Sequence, residues 1–429
     1  MSSAASVAFA TLFVGMVTGV QPVAVNVAGG VEEVRLLLDG REVARILSPP
    51  WRTAIDLGHE LAPRKLTAVG LDDLGEEVAR ADQHLNLPRS SAELQIHVER
   101  DSSGQARAAQ LAWGGLQAEK PSALRAALDG KPLPVEPSGK IVLPAGGSGR
   151  GTLLTAEIEF PGGARSSAAA VLGVPQDEKA AGQLTAIPVR LKSRASVAER
   201  FLLAGGRPAK VVAVEEGPGE VVVVRPLSRE AARAAVGARQ PLQKELGLRE
   251  TRLRVVWPFA HASSASYPGM SSDAILFEVS DATEPGEGGL YWLLTSPKHP
   301  LEAVNPPLRW ADAVAMAGQA AYACGCRRAV LLVLSNDSPD WGKNPPERVE
   351  TYLEKLRVPL KVWSLEKPLP FAAKGWSAVE NASTVSAMRA AYRKLEKELE
   401  SQSIVWIEGD WMPQEISLAP GAEGIELVR

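Results

Sequence analysis

At 429 residues the chain is long enough for about three domains, and a composition of 45% hydrophobic and 23% charged residues excludes wholesale disorder. Its 47 Lys and Arg against 50 Asp and Glu leave a net charge of −3, which removes the basic footprint of a general nucleic-acid binder. The 38 glycines and 32 prolines exceed the average share of about 12% and point to many turns and short strands.

The amino-terminal run from Ser6 to Val20 is mostly apolar, like a signal-peptide core, but Met1 to Ser6 carries no Lys or Arg and no small-x-small cleavage site stands out. Gly15 and Gly19 interrupt it. A first β-strand over Val7–Val14 is expected, with a signal peptide as the alternative. No later stretch approaches the about 20 apolar residues of a membrane span.

A degenerate repeat follows. Val31–Val43 (VEEVRLLLDGREV) matches Pro121–Leu133 (PSALRAALDGKPL), which sets Asp39-Gly40 and Asp129-Gly130 90 positions apart. Leu66–Ala81 (LTAVGLDDLGEEVARA) matches Leu154–Ala169 at a spacing of 88. Asp-Gly between alternating runs is a strong hairpin signal, because a tight primed turn needs positive φ at both residues. Short strands in units of this length predict two small β-sandwiches. The pattern resembles bacterial immunoglobulin-like modules, with Ser48-Pro49-Pro50-Trp51 and Leu66–Gly75 fitting the first copy and Pro161-Gly162-Gly163 departing from it in the second. The expected units are 1–88 and 89–174.

A polar stretch from Val174 to Leu184 reads as a linker, so that 175–220 forms a linker and lead-in β segment. Beyond it, strand-like runs alternate with helical ones. Strands are expected at Val221–Arg225, Arg252–Trp257, Gly289–Leu294, Ala329–Leu334, Leu360–Leu365 and Ile404–Ile407. Helices are expected at about Ser228–Glu245, Arg309–Tyr322, Glu347–Leu356 and Val385–Glu400, the last with Ser383 or Thr384 as N-cap. Such alternation implies a mainly parallel sheet with helices on both faces, a doubly wound α/β domain over 221–429.

Three segments of this half resemble a known family. Phe201–Gly206 with Pro208–Glu216 resembles the lead-in, Cys326–Leu334 (CRRAVLLVL) a "RRAxVLLTDG" strand, and Arg357–Trp363 (RVPLKVW) the "xxVPVYxI" strand of von Willebrand factor A-related bacterial proteins. The resemblance implies an extracytoplasmic adhesion or interaction protein with a metal-ion-dependent adhesion site, built from D-x-S-x-S, a Thr and an Asp on three strand-end loops. A hard cation needs several oxygen ligands. Here the first loop runs Val224-Arg225-Pro226-Leu227-Ser228-Arg229, the second holds Pro306 and Pro307, and the third alone keeps oxygens, at Ser335-Asn336-Asp337-Ser338. A degenerate site without metal or other cofactor is expected.

Other chemistry finds little support. The histidines 59, 84, 97, 261 and 299 are scattered, Gly146–Gly151 lacks the Lys-Ser/Thr of a phosphate loop, and Asp281, Glu284 and Glu287 sit in a Pro/Gly-rich loop. Cys324 and Cys326 are expected as buried thiols, a redox pair being the sharper alternative. Trp341, in the polar segment Ser338–Pro346, is a partner-contact candidate, as is Trp411. The expectation is a non-catalytic protein-interaction or structural protein, with Ser228, Asn336, Asp337 and Trp341 at the strand-end face and a protein as partner. The alternatives are a metal-dependent adhesion module with rearranged ligands, or a hydrolase with immunoglobulin-like appendages.

Overall fold

The computed structural model describes residues 5–13, 15–88, 92–102, 104–115, 120–144, 152–160, 165–172, 184–192, 196–225, 245–248, 250–260, 277–283, 286, 289–295, 307–335 and 340–429. Its first unit holds β1 (Ser6–Phe9), β2 (Val20–Ala28), β3 (Glu33–Leu38), β4 (Arg41–Ile46), β5 (Arg52–Asp56), β6 (Arg64–Leu71) and β7 (Glu77–Leu85). They form a three-stranded sheet β1-β2-β5 and a four-stranded sheet β4-β3-β6-β7. The second unit repeats this topology strand for strand with β8 (Ala92–Arg100), β9 (Ala106–Gly115), β10 (Ala123–Leu128), β11 (Lys131–Leu133), β12 (Lys140–Val142), β13 (Thr152–Glu159) and β14 (Arg165–Leu172), ordered β12-β9-β8 and β11-β10-β13-β14. Both expected hairpins form, with φ of 51° and 79° at Asp39-Gly40 and 48° and 76° at Asp129-Gly130. The turn aspartates act alike: Asp39 Oδ1 accepts from the Lys65 amide and Asp129 Oδ1 from the Leu153 amide, each at 2.9 Å. The first strand is shorter than expected, because the Ala10 and Thr11 amides both turn to the Ala24 carbonyl.

The chain then runs through β15 (Leu184–Leu191), α1 (Ser196–Phe201), β16 (Leu202–Ala204), β17 (Arg207–Pro208) and β18 (Val211–Glu215) into an α/β unit. This unit comprises β19 (Gly219–Val224), β20 (Thr251–Ala260), β21 (Phe277–Val279), α2 (Gly289–Thr295), α3 (Trp310–Tyr322), β22 (Arg327–Leu334), α4 (Pro346–Leu356), β23 (Leu360–Ser364), β24 (Val379–Asn381) and α5 (Val385–Glu400). The sheet order is β21-β20-β19-β22-β23-β24, with β21 antiparallel to β20 and every other pairing parallel. Alternate residues of the central strands enter opposite cores. Val222, Val224, Val330 and Leu332 pack with α3 and α4, and Val221, Val223, Leu331 and Val333 with α2 and α5. That division makes their sequences continuous apolar runs. The Thr384 hydroxyl caps α5 by accepting the Ala387 amide at 3.2 Å. Thr384→Ala is expected to cost about 1 kcal/mol in urea unfolding.

Two elements differ from expectation. Gly289–Thr295 is a helix, not a strand; it buries Leu290 and Leu294, four residues apart, on one face. The run Ile404–Ile407 does not extend the parallel sheet. It lies in β25 (Gln402–Glu408), which with β26 (Ile416–Leu418) and β27 (Ile425–Leu427) returns to the segment before the α/β unit. The result is a third β unit of two sheets, β18-β25-β15-β27 and β17-β16-β26, interrupted in sequence by the α/β unit. Its core brings Ile187 and Val189 of β15 against Val405 and Ile407 of β25 and Ile416 and Ile425 beyond. Trp411 packs here too: a Cβ on Gly205 would stand 2.9 Å from its ring.

Fully buried Arg328 joins the layers. Its guanidinium donates to the Tyr322 and Leu356 carbonyls at 3.3 and 3.2 Å, the last residues of α3 and α4, where helix dipoles favour a cation. Burial brings its pKa down to about 10. The second sandwich docks on the α/β unit through a buried ionic cluster. Glu220, at the start of β19, receives Arg165 Nη1 at 2.9 Å and Arg254 Nε at 3.1 Å. Glu159 receives Arg254 at 2.8 Å and Arg125 at 3.0 Å, and Glu157 receives Arg252 at 2.6 Å. The first sandwich docks through the Tyr352 hydroxyl, which donates to the Asn86 carbonyl at 2.5 Å, and through Met16 and Leu61 in the α3–α4 core.

Candidate functional site

In an open α/β sheet, ligands and partners meet the carboxyl ends of the strands where the order reverses; here that is between β19 and β22. Of the expected site residues, Ser228, Asn336 and Asp337 lie outside the described residues, as do Arg229, Pro306, the helix expected over 228–245 except Glu245, and nearly all of the linker. Of the four, Trp341 alone falls among the described residues. Arg225, the residue after β19, is 2% exposed. Its guanidinium donates to the Leu293 carbonyl of α2 and lies 5.4 Å over the Trp257 ring. Among the described residues no three metal-ligating side chains converge.

Trp341 is 64% exposed, and its loop is held at both ends by carboxylates. The N-cap residue of α3, Arg309, makes no side-chain cap. Asp340 supplies it from the loop after β22, accepting the Trp310 and Ala311 amides, each at 3.0 Å. In return Asp312, in the first turn of α3, accepts the Lys343 amide at 2.9 Å, the Asn344 amide at 3.2 Å and the Asn344 side chain at 2.8 Å. Arg309 also pairs with Asp312. Burial pushes the Asp340 carboxyl up, the Asp312 charge adds to that, and the Gly342, Ala311 and Trp310 amides oppose it. Gly342 is required between the two: a Cβ would meet Asp340 Oδ1 at 2.9 Å and Asp312 Oδ2 at 3.4 Å. The Trp341 amide donates to the Leu308 carbonyl at 2.8 Å, completing the latch.

The loop after neighbouring β23 carries two more exposed apolar side chains, Leu369 (55%) and Phe371 (68%). It closes on the start of α4, where the Ser377 amide donates to Glu350 at 2.8 Å and a Cβ on Gly375 would stand 3.1 Å from Pro346. Trp341 precedes the same helix. The hydrophobic residues of this loop were not singled out in the sequence, although Leu369-Pro370-Phe371 between a strand and a helix was a visible signal. Arrangements of this kind offer apolar contact on a stiff backbone; no nucleophile, base and oxyanion donors are assembled there among the described residues.

A second region lies around the two cysteines. Cys324 and Cys326 form a disulfide rather than two thiols. Gly325 between them has φ +59°, which brings the two Cα atoms to 5.1 Å. The bond lies on the wall of a cavity of about 870 Å³, lined also by Glu215, Trp406, Arg252 and the outer face of β10 and β13. Trp406 Nε1 donates to Glu215 Oε1 at 2.8 Å, while Glu215 Oε2 is buried with no hydrogen-bond partner among the described residues. Burial pushes the Glu215 carboxyl up, the Trp406 bond opposing and the Asp129 charge adding.

No protein-family model matches the chain, and no curated protein is similar to it. Among the described residues no helix is long and apolar enough to cross a membrane. The chain is similar to a β-glucuronidase from glycoside hydrolase family 2, at 13% identity over 40% of this chain and 20% of that one, with a TM-score of 0.20. It is similar to the fibronectin(III)-like modules of Clostridium thermocellum CbhA, at 10% identity over 38% of this chain and 92% of that one, TM-score 0.17. A β-glycosidase from Bacteroides vulgatus gives 11% identity over 40% and 25%, TM-score 0.23. The chain thus spans about a fifth to a quarter of the two glycosidases. At these TM-scores the likenesses assign neither a family nor an activity; the β-sandwich and doubly wound architecture rests on the strand pairings themselves.

Proposed function

We propose that the chain is a non-catalytic interaction protein whose α/β unit is of the von Willebrand factor A type and whose strand-end loops hold a protein partner without an ion. The observation that carries this is the set Trp341, Leu369 and Phe371, exposed on two loops that leave adjacent strands, the first latched to the start of α3 and the second tied to α4. Exposed aromatics on a stiffened backbone bind with little ordering cost, the usual make-up of an interface hot spot. The sheet order with its antiparallel third strand and the three family-like segments support the domain type. Arg225, packed between Leu293 and Trp257 at the end of β19, favours this reading over a metal-dependent adhesion module. An extracytoplasmic setting goes with it.

The test is recovery of a partner by the full chain from extracts of the cells that produce it, followed by titration of that partner. Trp341→Ala is expected to weaken binding by about 2 kcal/mol, roughly thirtyfold, and Phe371→Ala to weaken it in the same direction. Equal affinity of all three proteins would remove this face as the binding surface.

A further inference from the structure

The Cys324–Cys326 disulfide has no evident structural duty. A crosslink across one residue removes little freedom from the unfolded chain, since the stabilisation grows with the loop it closes. The turn is also held without it. On one side the Ala323 amide continues α3 by donating to the Gln319 carbonyl at 3.0 Å. On the other, Gln402 clamps the Arg328 backbone, accepting its amide at 2.9 Å and donating to its carbonyl at 3.1 Å, and Arg327 Nε donates to the Gly217 carbonyl at 2.6 Å. Breaking the sulfur–sulfur bond therefore leaves the flanking helix and strand anchored.

Both cysteines are largely buried, at 9% and 7% exposure, but they border open space. Both sulfur-bearing residues line the cavity of about 870 Å³, which is open to solvent, and Gly325 and Trp406 separate it from a second cavity of about 440 Å³. Spaces of several hundred Å³ admit small organic ligands. Arg125, Lys131, Arg252, Glu157 and Glu215 are among the lining residues, Arg252 and Glu157 being paired with each other, so the wall offers polar contacts to a small visitor. The two sulfurs are not equivalent: the Cys326 amide points at Cys324 Sγ, 3.0 Å away, so charge is better received on Cys324.

We propose that Cys324–Cys326 is a redox-active disulfide that exchanges in the folded protein with low-molecular-weight thiols entering the larger cavity. A thiolate attacks Cys326 Sγ and forms a mixed disulfide. The Cys324–Cys326 bond breaks, and its electron pair leaves on Cys324 Sγ beside the Cys326 amide. Cys324 then takes up the proton that the first thiol had lost to solvent. A second thiolate attacks the sulfur of the bound thiol, expels Cys326 as a thiolate that is protonated in turn, and departs as the symmetrical disulfide. Two thiols are oxidised and the cysteine pair gains their two electrons and two protons.

The test uses the full chain in buffers of reduced and oxidised glutathione, with rapid alkylation and intact-mass readout. Two alkylated cysteines are expected to appear with rising reduced glutathione while far-UV circular dichroism is unchanged, and at least about tenfold faster than global unfolding, because structural disulfides resist this pool. With oxidised glutathione, Cys324→Ser is expected to hold one glutathione on Cys326, since no second thiol resolves it. Thiols that appear only at the rate of unfolding would overturn the proposal, as would a folded Cys324→Ser protein that captures no glutathione. The wild-type measurement decides the matter even if the variants fail to fold.

Discussion

Glu220→Ala is expected to destabilise the protein by about 3–5 kcal/mol, the usual result of removing one member of a buried ion pair. Glu220 is wholly buried and meets Arg165 and Arg254 directly, with Arg252 at 3.8 Å. Truncation leaves guanidinium groups that are 8%, 5% and 1% exposed with fewer carboxylates than they need. The damage should concentrate where the second sandwich meets the α/β unit, because Arg165 comes from β14 and Arg252 and Arg254 from β20. Limited proteolysis would then separate the two units before either is degraded. Replacing Glu220 and Arg254 together by methionine should cost less than the sum of the single changes, since apolar replacement of a buried pair removes the desolvation penalty with the attraction.

The same cluster sets an acid limit. Burial pushes the Glu220 carboxyl up, but the charges of Arg165, Arg254 and Arg252 outweigh it and hold it below the usual range. Glu159 behaves alike: burial is overcome by Arg254, Arg125 and the Ala282 amide. A carboxylate depressed in the folded state binds fewer protons than in the unfolded chain. Its contribution is therefore complete above the unfolded pKa of about 4.3 and is lost as pH falls through the lower folded value. Urea midpoints should stay level near neutrality and fall below about pH 4.

Asp312→Ala is expected to cost about 3–5 kcal/mol, because it strands the Arg309 cation, the buried Asn344 amide and the part-buried Lys343 amide at once. Asp312 is wholly buried in the first turn of α3 and accepts from Lys343, Asn344 and Arg309. Asp312→Asn keeps an acceptor and should cost less. The informative readout is local: hydrogen exchange at the Lys343 and Asn344 amides should accelerate more than in the β units. Partner binding should then weaken although the Trp341 ring is intact, because the loop that presents it is no longer latched to α3. Unchanged exchange at those two amides would show that the loop is held by other means.

Much of this architecture was readable from local pattern. Asp39-Gly40 and Asp129-Gly130 announced their hairpins because few other dipeptides tolerate two successive residues at positive φ. Ser383-Thr384 announced the start of α5, the structure selecting Thr384 as the cap, and the apolar runs of β19, β22 and β23 announced strands covered on both faces. Local pattern failed where length gave no leverage. Gly289–Leu294 is too short for periodicity to separate a helix from a buried strand. The run in β25 is buried on both faces beside antiparallel neighbours, so its residues look like those of a parallel strand.

At the strand-end face, Trp341 was singled out from its polar surroundings, but the carboxylates that fix it were not. Asp340 and Asp312 lie far apart in sequence and acquire their roles only when the loop after β22 reaches the start of α3. The alternating Glu157-Ile158-Glu159 and Arg252-Leu253-Arg254 each read as ordinary half-exposed strands, and nothing local says that one will neutralise the other. The disulfide was not legible because the spacing of Cys324 and Cys326 says nothing about φ at Gly325, which sets the distance between them. Short-range geometry, repeated along the chain, thus dictated the turns, caps, strands and doubled sandwich without reference to neighbours. The ionic joint, the latched loop, the interrupted third sandwich and the cavity beside the disulfide arose from packing of distant segments, where burial removes water and makes a carboxylate's partner, rather than its sequence context, determine what it does.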